Sequence, residues 1–84
     1  MTRLWQPAIP IRVLAVDGYP AHCTWDGRRF RVEHMALRWR VRIWWRGIWR
    51  EYYKLVVYDD VSVALVVIYY DLLDYGWYLQ EMYD

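Results

Sequence analysis

Three side chains in this sequence could ligate a metal or pair a nucleophile with a base: His22, Cys23 and His34. A structural zinc takes four convergent Cys, His or carboxylate ligands. His22 and Cys23 are neighbours, and neighbouring residues of a strand point to opposite faces, so they do not chelate together. There is no C-x-x-C, and no metal site is expected. Cys23 with His34 would form a thiolate–imidazole dyad only if the fold brought them within hydrogen-bond reach. Ser62 is the single serine, and no G-x-S-x-G, P-loop or G-x-G-x-x-G is present. Asp59-Asp60 and Glu51 come nearest to a carboxylate pair, but adjacent aspartates at a tight turn more often serve the turn and its solvation. The expectation is a non-enzymatic protein with no catalytic residue, cofactor or metal.

The basic residues are more informative. Residues 1–50 hold ten Arg against Asp17, Asp26 and Glu33, a net of +7, whereas residues 51–84 hold Lys54 against seven acids, a net of −6. The formal total of +1 hides this asymmetry. If the third and fourth strand segments pair, Arg29 and Arg31 lie beside Arg38, Arg40 and Arg42 on one outer face. Guanidiniums spaced along a sheet match backbone phosphates, and Trp44, Trp45 and Trp49 near the next turn could stack on bases. The plainer reading is that the arginines pair across the sheet with the acids of the second half.

These side chains must be positioned by strands. Val, Ile, Tyr, Trp, Phe and Thr supply 34 of 84 residues, and these types favour pleated, half-buried surfaces. Residues 1–10, with Pro7 and Pro10, read as an irregular arm. Strand segments follow at 11–16, 21–25 and from Arg28, separated by the turn dipeptides Asp17-Gly18 and Asp26-Gly27. Residues 37–43 alternate strictly, with Leu37, Trp39, Val41 and Ile43 on one face and Arg38, Arg40 and Arg42 on the other. After a turn at Arg46-Gly47, strands are expected at 51–58, 61–70 and 77–83. The segment 61–70 is almost uniformly apolar, so it is either covered on both faces or paired in a homodimer. Five to seven short strands with hairpin connections form a meander, and curling removes its edges. The expected fold is all-β, a strongly bent antiparallel meander closing into an SH3-like or related barrel, one domain spanning 1–84.

The N-terminus lacks the apolar stretch of a signal peptide, the longest uncharged run is about half a membrane span, and the single cysteine forms no intrachain disulfide. A cytoplasmic protein without membrane contact is expected. Seventeen aromatics are more than a barrel of 84 residues readily hides, which favours a leftover patch for a partner or for self-association.

A set of short motifs carries a family likeness. They are Trp25-Asp26-Gly27-Arg28-Arg29-Phe30-Arg31-Val32, Trp44-Trp45-Arg46-Gly47, Arg50-Glu51-Tyr52-Tyr53-Lys54-Leu55, Tyr70-Asp71, Gly76-Trp77-Tyr78-Leu79 and Tyr83-Asp84. Over roughly residues 10–84 the chain resembles a small bacterial domain of unknown function. That domain occurs alone and at the C-terminus of ImuB-type proteins, catalytically inactive relatives of Y-family translesion DNA polymerases. Arg40 to Ile43 is more apolar than the polar insertion usual there. The resemblance implies a module accompanying mutagenic DNA repair, and it brings no catalytic residues.

Two functional expectations follow. The first is a protein-interaction module tied to translesion synthesis, anchored by Trp44, Trp45 and Trp49. The alternative is a small barrel that binds single-stranded or primed DNA through Arg29, Arg31, Arg38, Arg40 and Arg42.

Overall fold

A computed structural model describes residues 2–45 and 47–83. Six strands run in order: β1 (Thr2–Val16), β2 (Tyr19–Trp25), β3 (Arg28–Ile43), β4 (Ile48–Tyr58), β5 (Val63–Asp71) and β6 (Gly76–Tyr83). Each is antiparallel to the next, and β1 also pairs with β6, which closes the meander into a barrel. Asp17-Gly18 and Asp26-Gly27 both have positive φ at their two positions, the geometry a two-residue hairpin turn demands. The Arg46 half of the expected Arg46-Gly47 turn lies outside the described residues; Gly47 has φ +66° and donates its N–H to the Trp44 carbonyl.

Alternation decides what is inside. Cys23, Phe30, Tyr53, Leu55, Val57, Ala64, Val66, Ile68, Leu79 and Met82 form the barrel core. β5 lies between β4 and β6, so its apolar run is central. Ala64, Val66 and Ile68 enter the barrel core, while Val67 and Tyr69 join a second cluster on the opposite face with Tyr52, Trp39, Val41, Ala8 and Tyr78. In that cluster Trp39, Tyr52, Tyr69 and Tyr78 form a ladder of rings across β3 to β6, with centroids 5.1–5.2 Å apart.

Two sequence expectations need correction. The segment read as an irregular arm is part of β1: Thr2, Arg3 and Leu4 pair with Tyr83, Met82 and Glu81. Pro7 falls where the pairing lapses between Leu4 and Ile9, so its missing N–H costs the ladder nothing, whereas Pro10 lies in the resumed ladder, opposite Tyr78. The segments beginning at Arg28 and at Leu37 are not two paired strands. They form one strand of 16 residues, with register breaks at Val32/His34 and Met35/Leu37.

Leu55 is fully buried in the middle of the core. Leu55→Ala is expected to lower unfolding stability by about 2–5 kcal/mol, whereas Val63→Ala, at a solvent-exposed position, should change it by less than about 0.5 kcal/mol. Urea denaturation monitored by tryptophan fluorescence measures both.

Candidate interaction surface

Because β3 is one strand, its arginines divide by parity. Phe30 and Val32 face the barrel core, so Arg29 and Arg31 face outward. The two register breaks each shift the alternation by one residue and cancel. Arg38, Arg40 and Arg42 therefore return to the core-facing side, opposite Tyr53, Glu51 and Trp49 of β4. Trp39 and Val41 are turned to the other side, into the second cluster. The five arginines expected on a single outer face thus occupy two opposite faces. A period of two cannot place 29 and 31 with 38, 40 and 42 in an uninterrupted strand.

The inner row is not a bare cationic stripe. The Glu51 carboxylate lies 2.5 Å from Arg40 and 3.8 Å from Arg38. It also accepts a long bond of 3.4 Å from the Tyr53 hydroxyl. Arg38 spans to β2, with its guanidinium 5.3 Å from the Tyr19 ring and 5.8 Å from the Tyr53 ring. Arg42, cross-strand from Trp49, has no carboxylate within 4 Å among the described residues.

Beyond this row the β3–β4 hairpin ends in its three tryptophans. Trp44 is 78% exposed, Trp45 70% and Trp49 42%. Trp44 and Trp45 meet edge to face at 6.0 Å, and the Arg40 guanidinium lies 5.8 Å from the Trp49 ring. The short turn leaves these rings no neighbouring strand to cover them. They form an aromatic tip with guanidiniums beside it, away from the barrel core.

The Cys23–His34 dyad is not assembled. Cys23 is completely buried beside Phe30 in the core, and burial pushes its thiol up to about 12. His34 is exposed and pairs with Val56, on the outward-facing positions of β4. Among the described residues, no three His, Cys, Asp or Glu side chains converge on a point that could hold a metal ion.

Several acids that the sequence left without a task serve the frame. Asp59 accepts from the Val61 and Ser62 N–H groups at 3.0 and 2.8 Å and forms an ion pair with Arg28. Those backbone bonds, then Arg28, hold its carboxyl well below the usual carboxylate range. Asp71 is buried, bonds Arg50 at 3.2 Å and accepts the Leu73 N–H at 2.8 Å, fixing the β5–β6 turn. Arg50 in turn lies 4.6 Å over Tyr69 and joins the aromatic ladder to that turn. Pairing of arginines with acids of the second half was expected from the sequence and is found at Arg28, Arg38, Arg40 and Arg50, but which acid meets which arginine depends on strand register.

No family model, curated protein or solved structure matches this chain. The likeness to the polymerase-associated domain therefore rests on the motifs quoted for it. Among the described residues no helix is long and apolar enough to cross a membrane.

Two outcomes are expected from this geometry. Cys23 should resist a thiol reagent in the native protein and react stoichiometrically in denaturant. Rapid native labelling would show that the core opens at β2. Asp59 has a folded pKa below its unfolded value, so its contribution is full above about pH 4 and fades as the pH falls through the folded value. Asp59→Asn should therefore flatten the acid limb of a stability–pH profile, and parallel profiles for the two proteins would contradict the assignment.

Proposed function

We propose that this chain is a non-enzymatic binding module that docks a protein partner through the tip of the β3–β4 hairpin. The observation carrying this reading is the exposure of Trp44, Trp45 and Trp49 at one turn. Tryptophan is the residue most enriched among binding hot spots, with tyrosine and arginine, and a cluster of exposed indoles is costly to leave in water. Each large aromatic can bury roughly 150–250 Å², so three of them supply much of the apolar centre of an interface burying about 800 Å² per partner. The edge-to-face contact of Trp44 with Trp45 favours a preset arrangement and reduces the ordering needed on docking.

The arginines support this reading by their arrangement. A nucleic-acid stripe calls for a continuous basic face free of carboxylates, whereas Glu51 sits between Arg38 and Arg40 and the remaining pair is on the other side. We assign the module to translesion DNA synthesis and repair on the strength of the sequence resemblance, and to the cytoplasm because a lone cysteine suits a reducing compartment. The partner is then a protein of that machinery or a second copy of the chain.

The test compares tagged wild-type chain with a Trp44→Ser/Trp45→Ser variant after cross-linking in bacterial cells. Proteins recovered with the wild type should fall at least tenfold with the variant and persist with Arg29→Gln/Arg31→Gln. Sedimentation of the purified proteins separates self-association from a heterologous partner. Equal recovery by all three proteins would remove the tip from consideration. Salt-dependent oligonucleotide binding lost in the tryptophan variant would replace the protein partner with nucleic acid.

A further inference from the structure

The outer face of β1, β2 and β3 carries a polar cluster unconnected with the hairpin tip. Two cross-strand rows build it. Arg12, Thr24 and Arg29 stand side by side in one row, and Leu14, His22 and Arg31 in the next. Cys23 and Phe30, at the alternate positions, point into the core, so both rows face outward. A hollow of about 340 Å³ lies against His22, Arg29, Arg31 and Tyr58, with Asp59 and Asp60 at its wall. A second, of about 260 Å³, adjoins it and is lined by Arg12, Thr24 and again His22 and Arg29.

We propose that this cluster is a binding site for a phosphate group. The His22 Nδ1 atom is buried without a hydrogen-bond partner. A buried polar atom left unpaired is destabilising, and a rotation of the His22 ring on ligation would turn it toward an oxyanion in the hollow. Arg12, Arg29 and Arg31 have no carboxylate within 4 Å among the described residues. Three uncommitted guanidiniums around one imidazole are a concentration of donors without an acceptor.

The nearby acids do not cancel them. Asp59 is already engaged on both oxygens, by Val61 and Ser62 on one and Arg28 on the other. That leaves Asp60, exposed at the wall of the first hollow with Arg29 and Arg31, while the lining of the second, with Arg12 and Arg29, holds no carboxylate. The donor set favours phosphate over carboxylate. A guanidinium fork bonds two oxygens at once, and two or more forks plus an imidazole need more acceptors than a carboxylate's two oxygens offer. Phosphate supplies at least three acceptor oxygens and a charge near −2 at neutral pH. A free phosphate monoester offers this on one group; a nucleic-acid backbone offers one charge and two non-bridging oxygens per phosphodiester, so there the guanidinium forks would be shared between successive phosphates.

The experiment is a titration of the ¹⁵N-labelled protein with inorganic phosphate, against sodium chloride at matched ionic strength. Saturable shifts should centre on His22, Thr24, Arg29 and Arg31 and spare Trp44 and Trp45. Arg29→Gln and Arg31→Gln, both at exposed positions, should each weaken binding roughly tenfold, the scale of one charge-assisted hydrogen bond. Arg3→Gln removes the same charge from elsewhere on the exposed surface and should leave affinity within about twofold, which separates a built site from general attraction. An oligothymidylate titration identifies the source. Tighter binding than inorganic phosphate, with a salt slope reduced in Arg29→Gln, identifies backbone phosphates. Saturable binding of inorganic phosphate with no gain from the oligonucleotide identifies a free phosphate. Shifts no larger than those from chloride, or equal losses in Arg3→Gln and Arg29→Gln, overturn the proposal.

Discussion

Closure of the ring through the pairing of β1 with β6 is the constraint on which the rest depends. Once the sheet closes, nearly every residue is committed to the inside or the outside, and the choice propagates along each strand with a period of two. β5 satisfies both sides at once, sending Ala64, Val66 and Ile68 inward and Val67 and Tyr69 into a second apolar cluster. The chain is short for a self-sufficient core, and its second layer of rings answers that shortage. Trp39, Tyr52, Tyr69 and Tyr78 stack on the face that a simpler barrel would leave to solvent.

The separation of charge along the chain is resolved by this topology. Arg28 reaches Asp59, Arg38 and Arg40 reach Glu51, and Arg50 reaches Asp71. In every case an arginine from the first fifty residues meets an acid from the remainder. The pairs made by the exposed Arg28, Arg38 and Arg40 contribute about 0–1 kcal/mol each, so they do not explain the stability of the barrel, while the more buried Arg50–Asp71 pair fixes a turn. Their effect is to favour one pairing of strands over others, since a shifted register would set like charges opposite one another. Among the described residues the arginines without such partners are Arg3, Arg12, Arg29, Arg31 and Arg42, and of these Arg12, Arg29 and Arg31 share one face and are available for a ligand.

Much of this was legible in the sequence for definite reasons. Asp17-Gly18 and Asp26-Gly27 announced two hairpin turns because few other dipeptides adopt positive φ twice in succession. The all-β class and the meander followed from residue type and period, whereas the apolar run could be read as central or as a homodimer seam until the strand order placed it between β4 and β6. The failures also have physical causes. Pro7 and Pro10 signalled an arm, yet β1 carries both, Pro7 in a lapse of pairing and Pro10 within the ladder opposite Tyr78. Met35, Ala36 and Leu37 obscured the continuity of β3, and with it the parity that separates Arg29 and Arg31 from Arg38, Arg40 and Arg42. The tryptophans singled out by their place beside the expected turn, Trp44, Trp45 and Trp49, are exposed, because a hairpin end offers little to cover them. The grouping of Arg12, His22 and Arg31 spans three strands and required the register of two hairpins.

The long β3 edge explains why the reactive surface is concentrated at a tip. β2 pairs with β3 only over Arg28 to Arg31, so from Val32 to Ile43 the ladder neighbour of β3 is β4 alone. An edge of twelve residues would ordinarily invite another chain to add a strand. Two devices oppose this. The register breaks at Val32/His34 and Met35/Leu37 bend the strand and interrupt any flat template. Arg38, Arg40 and Arg42 then place a charge at every second position, so a second copy approaching the edge would meet arginine with arginine. With edge pairing discouraged, the tryptophans at the end of the hairpin, Trp44, Trp45 and Trp49, group their exposed apolar area at one tip. A discrete aromatic knob on a charged arm can be buried by one complementary pocket without recruiting the sheet into an open-ended assembly.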